Sequence, residues 1–222
     1  MHRLVSIMGL ASLISGPLLS YLNAVPPLVG FGIYALGGVF GLVALIWGLI
    51  ATVRKSGRQP LVSALVGLGC VAAVAVPAVA GRDYPRINDI STDLEDPPAL
   101  TAAPEYPAEF VPIVRAGYPE LSALVLDAPP SVVFDLARDL AQAQPGWTVD
   151  RADDNAMVIE GVAMTRVFRF RDDFVIRVRP HDGKSMVDMR SRSRDGKGDL
   201  GANARRIQGF FDALAKRTAA HQ

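Results

Sequence analysis

No aspartate or glutamate occurs anywhere in residues 1–80, and the only strong cations there are Arg3, Arg54, Lys55 and Arg58. Three apolar runs fill this stretch: residues 4–24, interrupted by Pro17; residues 27–52, free of charge; and residues 61–80, with Pro77 near the far end. A helix rising about 1.5 Å per residue needs roughly 20 residues to cross a hydrocarbon layer of about 30 Å. Each run meets that length, and nothing amphipathic interrupts them, so residues 1–80 are predicted to be a transmembrane region in a lipid bilayer. Glycines recur in the middle run (Gly30, Gly32, Gly37, Gly38, Gly41, Gly48), a small-residue pattern that lets helices pack closely in lipid. Taking the four cations from the chain's 23 Lys+Arg leaves 19 against 22 acids, so residues 81–222 carry a net charge of −3. Two unlike materials meet near Gly81, which excludes a single soluble globule.

Orientation follows from the cations. The first connection, Val25-Pro26-Pro27, has no charge, whereas residues 53–60 carry Arg54, Lys55 and Arg58. Lysine and arginine beside a span stay on the cytoplasmic side. Three spans then place the N-terminus and Arg3 inside and residues 81–222 outside. The expectation is a multi-pass protein of a bacterial inner membrane with a periplasmic C-terminal domain. A cleaved signal peptide is the rival for the first run, since His2-Arg3 precedes it; its length and the lack of a small-x-small cleavage site favour a retained helix. Cys70 is the only cysteine and lies in the third run. The soluble part therefore has no disulfide, thiol nucleophile or cysteine zinc cluster.

Residues 81–119 read as a proline-rich acidic stalk, because proline at this density favours extended, semi-rigid chain. Its acids Asp89, Asp93, Glu95 and Asp96 lack the glycine turn and ligand ladder of a calcium loop. The stretch 89–98 is expected instead to pack back on the domain with its acids facing later arginines. The compact domain is assigned to 120–217 and a tail to 218–222. A strand is predicted over 121–127, then a helix over 132–144 capped by Ser131, with Val133, Leu136, Leu140 and Ala143 at helical spacing. Pro145-Gly146 stops it. Strands follow over 147–150 and 156–162, separated by the turn Asp153-Asp154-Asn155. Phe174, Ile176 and Val178 alternate with Arg177 and Arg179, which defines a strand with one apolar face. The turn Pro180-His181-Asp182-Gly183 leads to its partner over 185–193. Residues 164–171 fit a strand, a short helix or a bulge. The last helix, 200–216, places Leu200, Ile207, Phe211 and Leu214 on one stripe. The fold class is α+β: an antiparallel sheet packed with two helices on one face, its opposite face rich in arginine.

The chemistry-bearing stretch is the passage from this strand into the last helix, residues 189–207. It holds five arginines and a lysine against two aspartates, with glycines spacing the loop. Helix N-termini carry unpaired N–H groups and partial positive charge, so the loop resembles an anion seat. Asp199 is the natural N-cap, and Asn203 and Arg206 fall three apart on one helical face. The candidate ligand-binding residues are Arg190, Ser191, Arg192, Ser193, Arg194, Asp199, Asn203 and Arg206, with Asp89, Thr92 and Asp96 contributed by the stalk. The competing reading is a capped helix whose arginines are paired internally or solvated.

Three segments occur together: Asn88-Asp89-Ile90-Ser91-Thr92-Asp93 with Asp96-Pro97-Pro98; Phe170-Arg171-Asp172-Asp173-Phe174-Val175-Ile176-Arg177-Val178; and Arg190-Ser191-Arg192-Ser193-Arg194 through Asn203-Ala204-Arg205-Arg206-Ile207. In that order they resemble the family catalogued as domain of unknown function 1499, over roughly residues 84–216. Such domains occur in proteobacteria, often behind membrane spans, and in plastids. The arginine-serine-x-serine-arginine run is intact, while Asp195 departs from the hydrophobic or small residue that often follows. The resemblance implies that loop and stalk belong to one site and carries no activity with it.

An enzyme needs a nucleophile, an acid–base pair or a metal, each placed to activate the next. After residue 80 the only histidines are His181, in a hairpin turn, and His221, in the tail. Ser191 and Ser193 lack an evident base, and the adjacent acids Asp172 and Asp173 point to opposite faces of a strand. These features favour non-catalytic binding, without a cofactor or metal, of an anionic small molecule or lipid headgroup. The alternative is an assembly factor that meets an envelope protein partner through glycine-rich spans. A net-acidic domain beyond the membrane argues against nucleic acid.

Overall fold

The computed structural model describes residues 2–54 and 58–221; Lys55 of the second connection and Gln222 of the tail lie outside the described residues. The chain divides into two compact units, Met1–Asp83 with Arg166–Arg169 and Tyr84–Thr165 with Phe170–Gln222.

The first unit holds three helices, α1 (His2–Tyr21), α2 (Pro27–Arg54) and α3 (Arg58–Ala80), each long and apolar enough to cross a membrane. Their buried positions are the small residues rather than the large ones. A Cβ on Gly16 would lie 2.4 Å from the Gly30 carbonyl oxygen, and one on Gly67 would lie 2.4 Å from that of Gly41. Backbones therefore touch at these crossings, and the leucines and isoleucines are left facing outward, as lipid requires.

The second unit is built on a six-stranded antiparallel sheet of β1 (Asp89–Ser91), β2 (Leu124–Leu126), β3 (Trp147–Asp153), β4 (Val158–Met164), β5 (Arg171–His181) and β6 (Lys184–Ser193). The order is β1-β6-β5-β4-β3, and β2 pairs with the first half of β6 while β1 pairs with its second half. The β5–β6 hairpin turns on Asp182 and Gly183, both at positive φ (47° and 78°), the geometry that matches strand twist in a two-residue turn. Residues 165–170, which fitted several conformations in sequence, form the β4–β5 loop. It is closed by mutual bonds between Thr165 and Phe170 at 2.9 Å.

Two helices, α5 (Pro130–Ala143) and α6 (Ala202–His221), cover one face of the sheet. Their stripes (Val133, Phe134, Ala137, Leu140; Ile207, Phe210, Phe211, Leu214) meet Phe174, Ile176, Val187 and Met189 in a single core. Trp147 closes it, 4.4 Å from the Phe174 ring and stacked at 5.6 Å on Phe210.

Several boundaries differ from the sequence expectation for local reasons. The helix over 130–143 is not capped by Ser131: Pro129 is the N-cap and no side chain bonds the first turn. Proline at N1 has the helical φ built in and lacks the N–H that a cap would serve. Leu200 is 50% exposed rather than buried, because it sits at φ 52° in a left-handed turn before α6 begins at Ala202. The strand expected over 121–127 contracts to three residues. Most consequential is the segment expected as a stalk: it contains strand β1 and helix α4 (Phe110–Gly117), and Ile87, Ile90 and Val114 belong to the core. Ile90, opposite Ser191, faces the helix side, while the chain after β1 (Pro98, Pro104) covers Arg190 on the opposite face of the sheet.

Candidate functional site

Alternation along the strands divides the arginine-rich stretch between two sides of the sheet. Ser191 and Ser193 face the helices, where Asn203, fully buried, is the hub. Its Oδ1 accepts from the Ser191 hydroxyl (2.8 Å) and the Arg206 guanidinium, and its Nδ2 donates to Ser193 Oγ (3.1 Å) and the Asn88 carbonyl (3.2 Å). Arg206 in turn pairs with Asp172. The helix start is also occupied from within. Asp199 Oδ1 accepts from Gly201 N and Oδ2 from Asn203 N, both at 2.8 Å. An internal carboxylate thus already fills the place expected for an external anion.

Arg190 and Arg192 point the other way. Arg190 is buried under the segment that follows β1, where it holds Asp89 through two bonds and donates to the carbonyls of Pro98 and Pro104. The Tyr106 ring lies 5.2 Å from its guanidinium carbon, and burial pushes the Tyr106 phenol far above its usual range. Arg192 reaches the same Asp89 only at 3.7 Å and keeps 25% of its side chain exposed. Arg194 chelates Asp173. The adjacent acids Asp172 and Asp173 therefore serve opposite faces, each committed to its own arginine. Of the stalk residues, Asp89 joins Arg190, Thr92 accepts from the Met189 backbone N–H at 2.9 Å, and Asp96 joins a second cluster.

That second cluster lies farther along the same face; it joins acids of the stretch expected to fold back toward later arginines with Arg177 and Arg179, and adds Asp188, which the sequence reading does not name. Arg177 and Arg179 are shared among Asp93, Asp96 and Asp188. Asp93 also takes the backbone N–H groups of Glu95 and Asp96, and Arg115 pairs with Glu95. Burial raises the Asp188 carboxyl, and the Asp93 charge adds to this against the opposing pull of Arg179 and Arg177. Asp93 moves down: burial pushes against it, but the Asp96 N–H, Arg179 and the Glu95 N–H outweigh that push. The signal for Asp188 was present as spacing, since it stands two residues before Arg190 and so shares its face.

Of the six cations of the second unit without an ion pair among the described residues, Lys216 and Arg217 lie in the last turns of α6, and the other four lie elsewhere. Arg86, Arg171, Lys197 and Arg205 are exposed and make no ion pair. Backbone bonds knit their segments together at the end of the sheet where the chain enters: Arg194 N to Arg171 O, Ser193 N to Asn88 O and Asp199 N to Ile87 O. Beside them a cavity of about 290 Å³ is lined by Tyr84, Tyr118, Leu121, Arg205 and Gln208. The Arg205 guanidinium lies 5.1 Å from the Tyr84 ring centre, and burial pushes the unpartnered Tyr118 hydroxyl up to about 12. Among the described residues no group of three or more His, Cys, Asp or Glu is arranged to hold a metal ion.

Fold and clusters together define an α+β antiparallel-sheet domain, cross-braced by arginine–carboxylate pairs, behind three apolar helices. The chain belongs to the family described as Protein of unknown function (DUF1499), whose model matches residues 89–214. That match includes β1 and the acidic segment after it, so the family domain begins within the stretch that sequence composition sets apart as a stalk. No curated protein matches the chain.

Proposed function

We propose that this is a membrane-anchored, non-catalytic binding protein whose C-terminal domain recognises an anionic, phosphate-bearing group such as a lipid headgroup. The observation that carries the reading is the separation of spent from unspent cations. Arg190, Arg194 and Arg206 are neutralised internally, whereas Arg86, Arg171, Lys197 and Arg205 are exposed and unpaired at one end of the sheet. Guanidinium and ammonium groups held on a rigid scaffold suit phosphate, and the neighbouring aromatic cavity would take an apolar portion of the same ligand. Arg54 and Arg58 flanking the second connection support a cytoplasmic position for it and an external, periplasmic domain. An assembly role through the spans is less favoured, because their glycines are largely used in packing the three helices against one another.

The test uses full-length protein in neutral detergent, with thermal unfolding followed after addition of an anionic phospholipid or of inorganic phosphate. Saturable stabilisation by either, lost in the combined variant Arg86→Gln, Arg171→Gln, Lys197→Gln, supports the reading, and the two additives separate a headgroup from a free phosphate. Equal stabilisation of variant and wild type, or none in wild type, overturns it. A reporter fused after Gln222 that works only in the cytosol overturns the orientation.

A further inference from the structure

Tight turns favour glycine, proline, asparagine, aspartate and serine, which suit both the bend and the water around it. The tip of the β4–β5 loop is instead Arg166-Val167-Phe168-Arg169, with two apolar residues at its centre. The mutual bonds of Thr165 and Phe170 close its base, and Arg169 turns the chain at a φ of 63°. These four residues belong to the first compact unit, although the strands on either side belong to the second. Within the first unit the Phe168 ring stands edge-on to Phe31 at 5.3 Å and to Tyr34 at 5.5 Å, two rings three residues apart on one face of α2. Val167 beside it is 50% exposed and Phe31 is 41% exposed, so the patch keeps an open apolar side. Arg166 is exposed, Arg169 is half-buried, and neither makes an ion pair among the described residues.

The level of this patch along the helices says what covers it. With 28 residues, α2 is about 42 Å long against a hydrocarbon layer of about 30 Å, so roughly one turn at each end stands among the headgroups. Phe31 and Tyr34, in the second turn, then fall at the boundary between headgroups and tails. The Tyr34 hydroxyl donates to the Ala73 carbonyl at 2.5 Å, which sets the same level near the end of α3 from which the chain leaves for the second unit. Aliphatic and aromatic side chains flanked by arginine suit that boundary, the apolar part meeting the tails and the guanidinium groups the phosphates. We propose that the β4–β5 tip is a membrane-interface anchor: Val167 and Phe168 sit at the edge of the acyl region, and Arg166 and Arg169 lie beside phospholipid phosphates. The proposal rests on the three helices being spans, and it uses none of the cations of the phosphate-binding reading.

Nitroxide labelling of full-length Cys70→Ala protein tests it, in vesicles of phosphatidylethanolamine and phosphatidylglycerol. Val167→Cys reports on the tip, Leu42→Cys, on the outward face of α2, on the spans, and Asp182→Cys, in the β5–β6 turn, on water. Collision of each label with oxygen, which concentrates in hydrocarbon, is compared with collision with a water-soluble nickel chelate present on both sides of the membrane. The Val167 label is expected to be at least threefold less open to the chelate than the Asp182 label. Arg166→Glu in the same background is expected to raise the chelate exposure of the Val167 label at least twofold. A Val167 label as open to the chelate as the Asp182 label, with the Leu42 label shielded, overturns the anchor and leaves the spans intact. Open access of the chelate to Leu42 overturns the spans and the anchor with them, and a Val167 label unmoved by Arg166→Glu overturns the contact with phosphate.

Discussion

Arg190 and Asp89 form a two-point ion pair inside the domain, with Nε to Oδ1 at 2.9 Å, a terminal nitrogen to Oδ2 at 2.8 Å, and 1% of each side chain exposed. The pair fastens β1, an edge strand, and with it the acidic segment, to β6, since Asp89 stands opposite Arg192 in the β1–β6 register. Removing one partner leaves an uncompensated buried charge, which costs about 3–5 kcal/mol. Asp89→Ala is therefore expected to destabilise the second unit by that order. Replacing both residues with apolar ones of similar volume is expected to cost much less, because the desolvation penalty goes with the pair. Urea unfolding of full-length protein, read from Trp147 fluorescence in a Trp47→Phe background, checks both; equal losses would contradict the argument.

Asn203 serves four partners at once, and no other side chain reaches all of them. Asn203→Ala leaves the Ser193 hydroxyl without its partner, takes one of two donors from the Asn88 carbonyl, which keeps Ser193 N, and removes one acceptor each from Ser191 and Arg206. A buried polar group stripped of its partner costs about 1–3 kcal/mol. The expected loss is of that order or somewhat more, as a lowered melting temperature. Asn203→Asp keeps Oδ1 and is still expected to be destabilising, because its second oxygen would face the Asn88 carbonyl where Nδ2 now donates. A melting temperature for Asn203→Asp equal to that of wild type would contradict this account.

Asp188 gives the stability curve a sign that most acids do not. Its carboxyl is raised in the folded state, chiefly by burial, so over the window from the ordinary value of 3.8 up to the raised one the folded chain holds more protons than the unfolded chain. Stability from this group therefore falls as pH rises through that window. Asp93 acts oppositely: it is lowered, and its contribution is present above the ordinary value and lost as pH falls through the lowered one. Asp188→Asn removes the first effect and retains the second to first order. The stability of wild type minus that of Asp188→Asn is expected to decline from pH 4 upward through the window in a series of urea titrations. A flat or rising difference would contradict it.

Helices, hairpins and membrane runs were legible in the sequence because each is set by local spacing: Phe174, Ile176 and Val178 for β5, Ile207, Phe211 and Leu214 for α6. What composition concealed was the tertiary use of residues 84–119. Proline and acid density read as stalk, yet two core isoleucines, Ile87 and Ile90, and the Asp89 carboxylate make that segment a layer of the domain. The partial exception is the expectation that 89–98 folds back with its acids toward arginines, which Asp93 and Asp96 meet at Arg177 and Arg179. The arginine cluster was legible as a list of residues and not as a site. Strand alternation sends Arg190 and Ser191 to opposite faces, and internal carboxylates from two other strands, Asp89 of β1 and Asp172 and Asp173 of β5, consume most of the charge. Those partners lie between 21 residues (Arg194 to Asp173) and 103 residues (Arg192 to Asp89) away, beyond the reach of any spacing rule.

Gly161 and Gly183 separate two costs that a sequence cannot tell apart. At Gly183 an added Cβ meets nothing within 4 Å, and only the positive φ of 78° opposes it. The strain of a left-handed conformation is about 1–2 kcal/mol, and Gly183→Ala is expected to lose no more than that. At Gly161, in the middle of β4, a Cβ would lie 2.1 Å from the Thr148 carbonyl oxygen and 2.8 Å from the Phe174 ring. Neither neighbour can yield, since Thr148 is in the paired strand β3 and Phe174 is clamped against Trp147 in the core. Overpacking of this kind costs about 1–3 kcal/mol or more, so Gly161→Ala is expected to be the more damaging of the two. Its damage should appear as a displaced Trp147, seen as a shifted fluorescence maximum in the folded state, which Gly183→Ala leaves unchanged. The reverse order of stabilities would mean that the β3–β4 edge opens more easily than the β5–β6 turn.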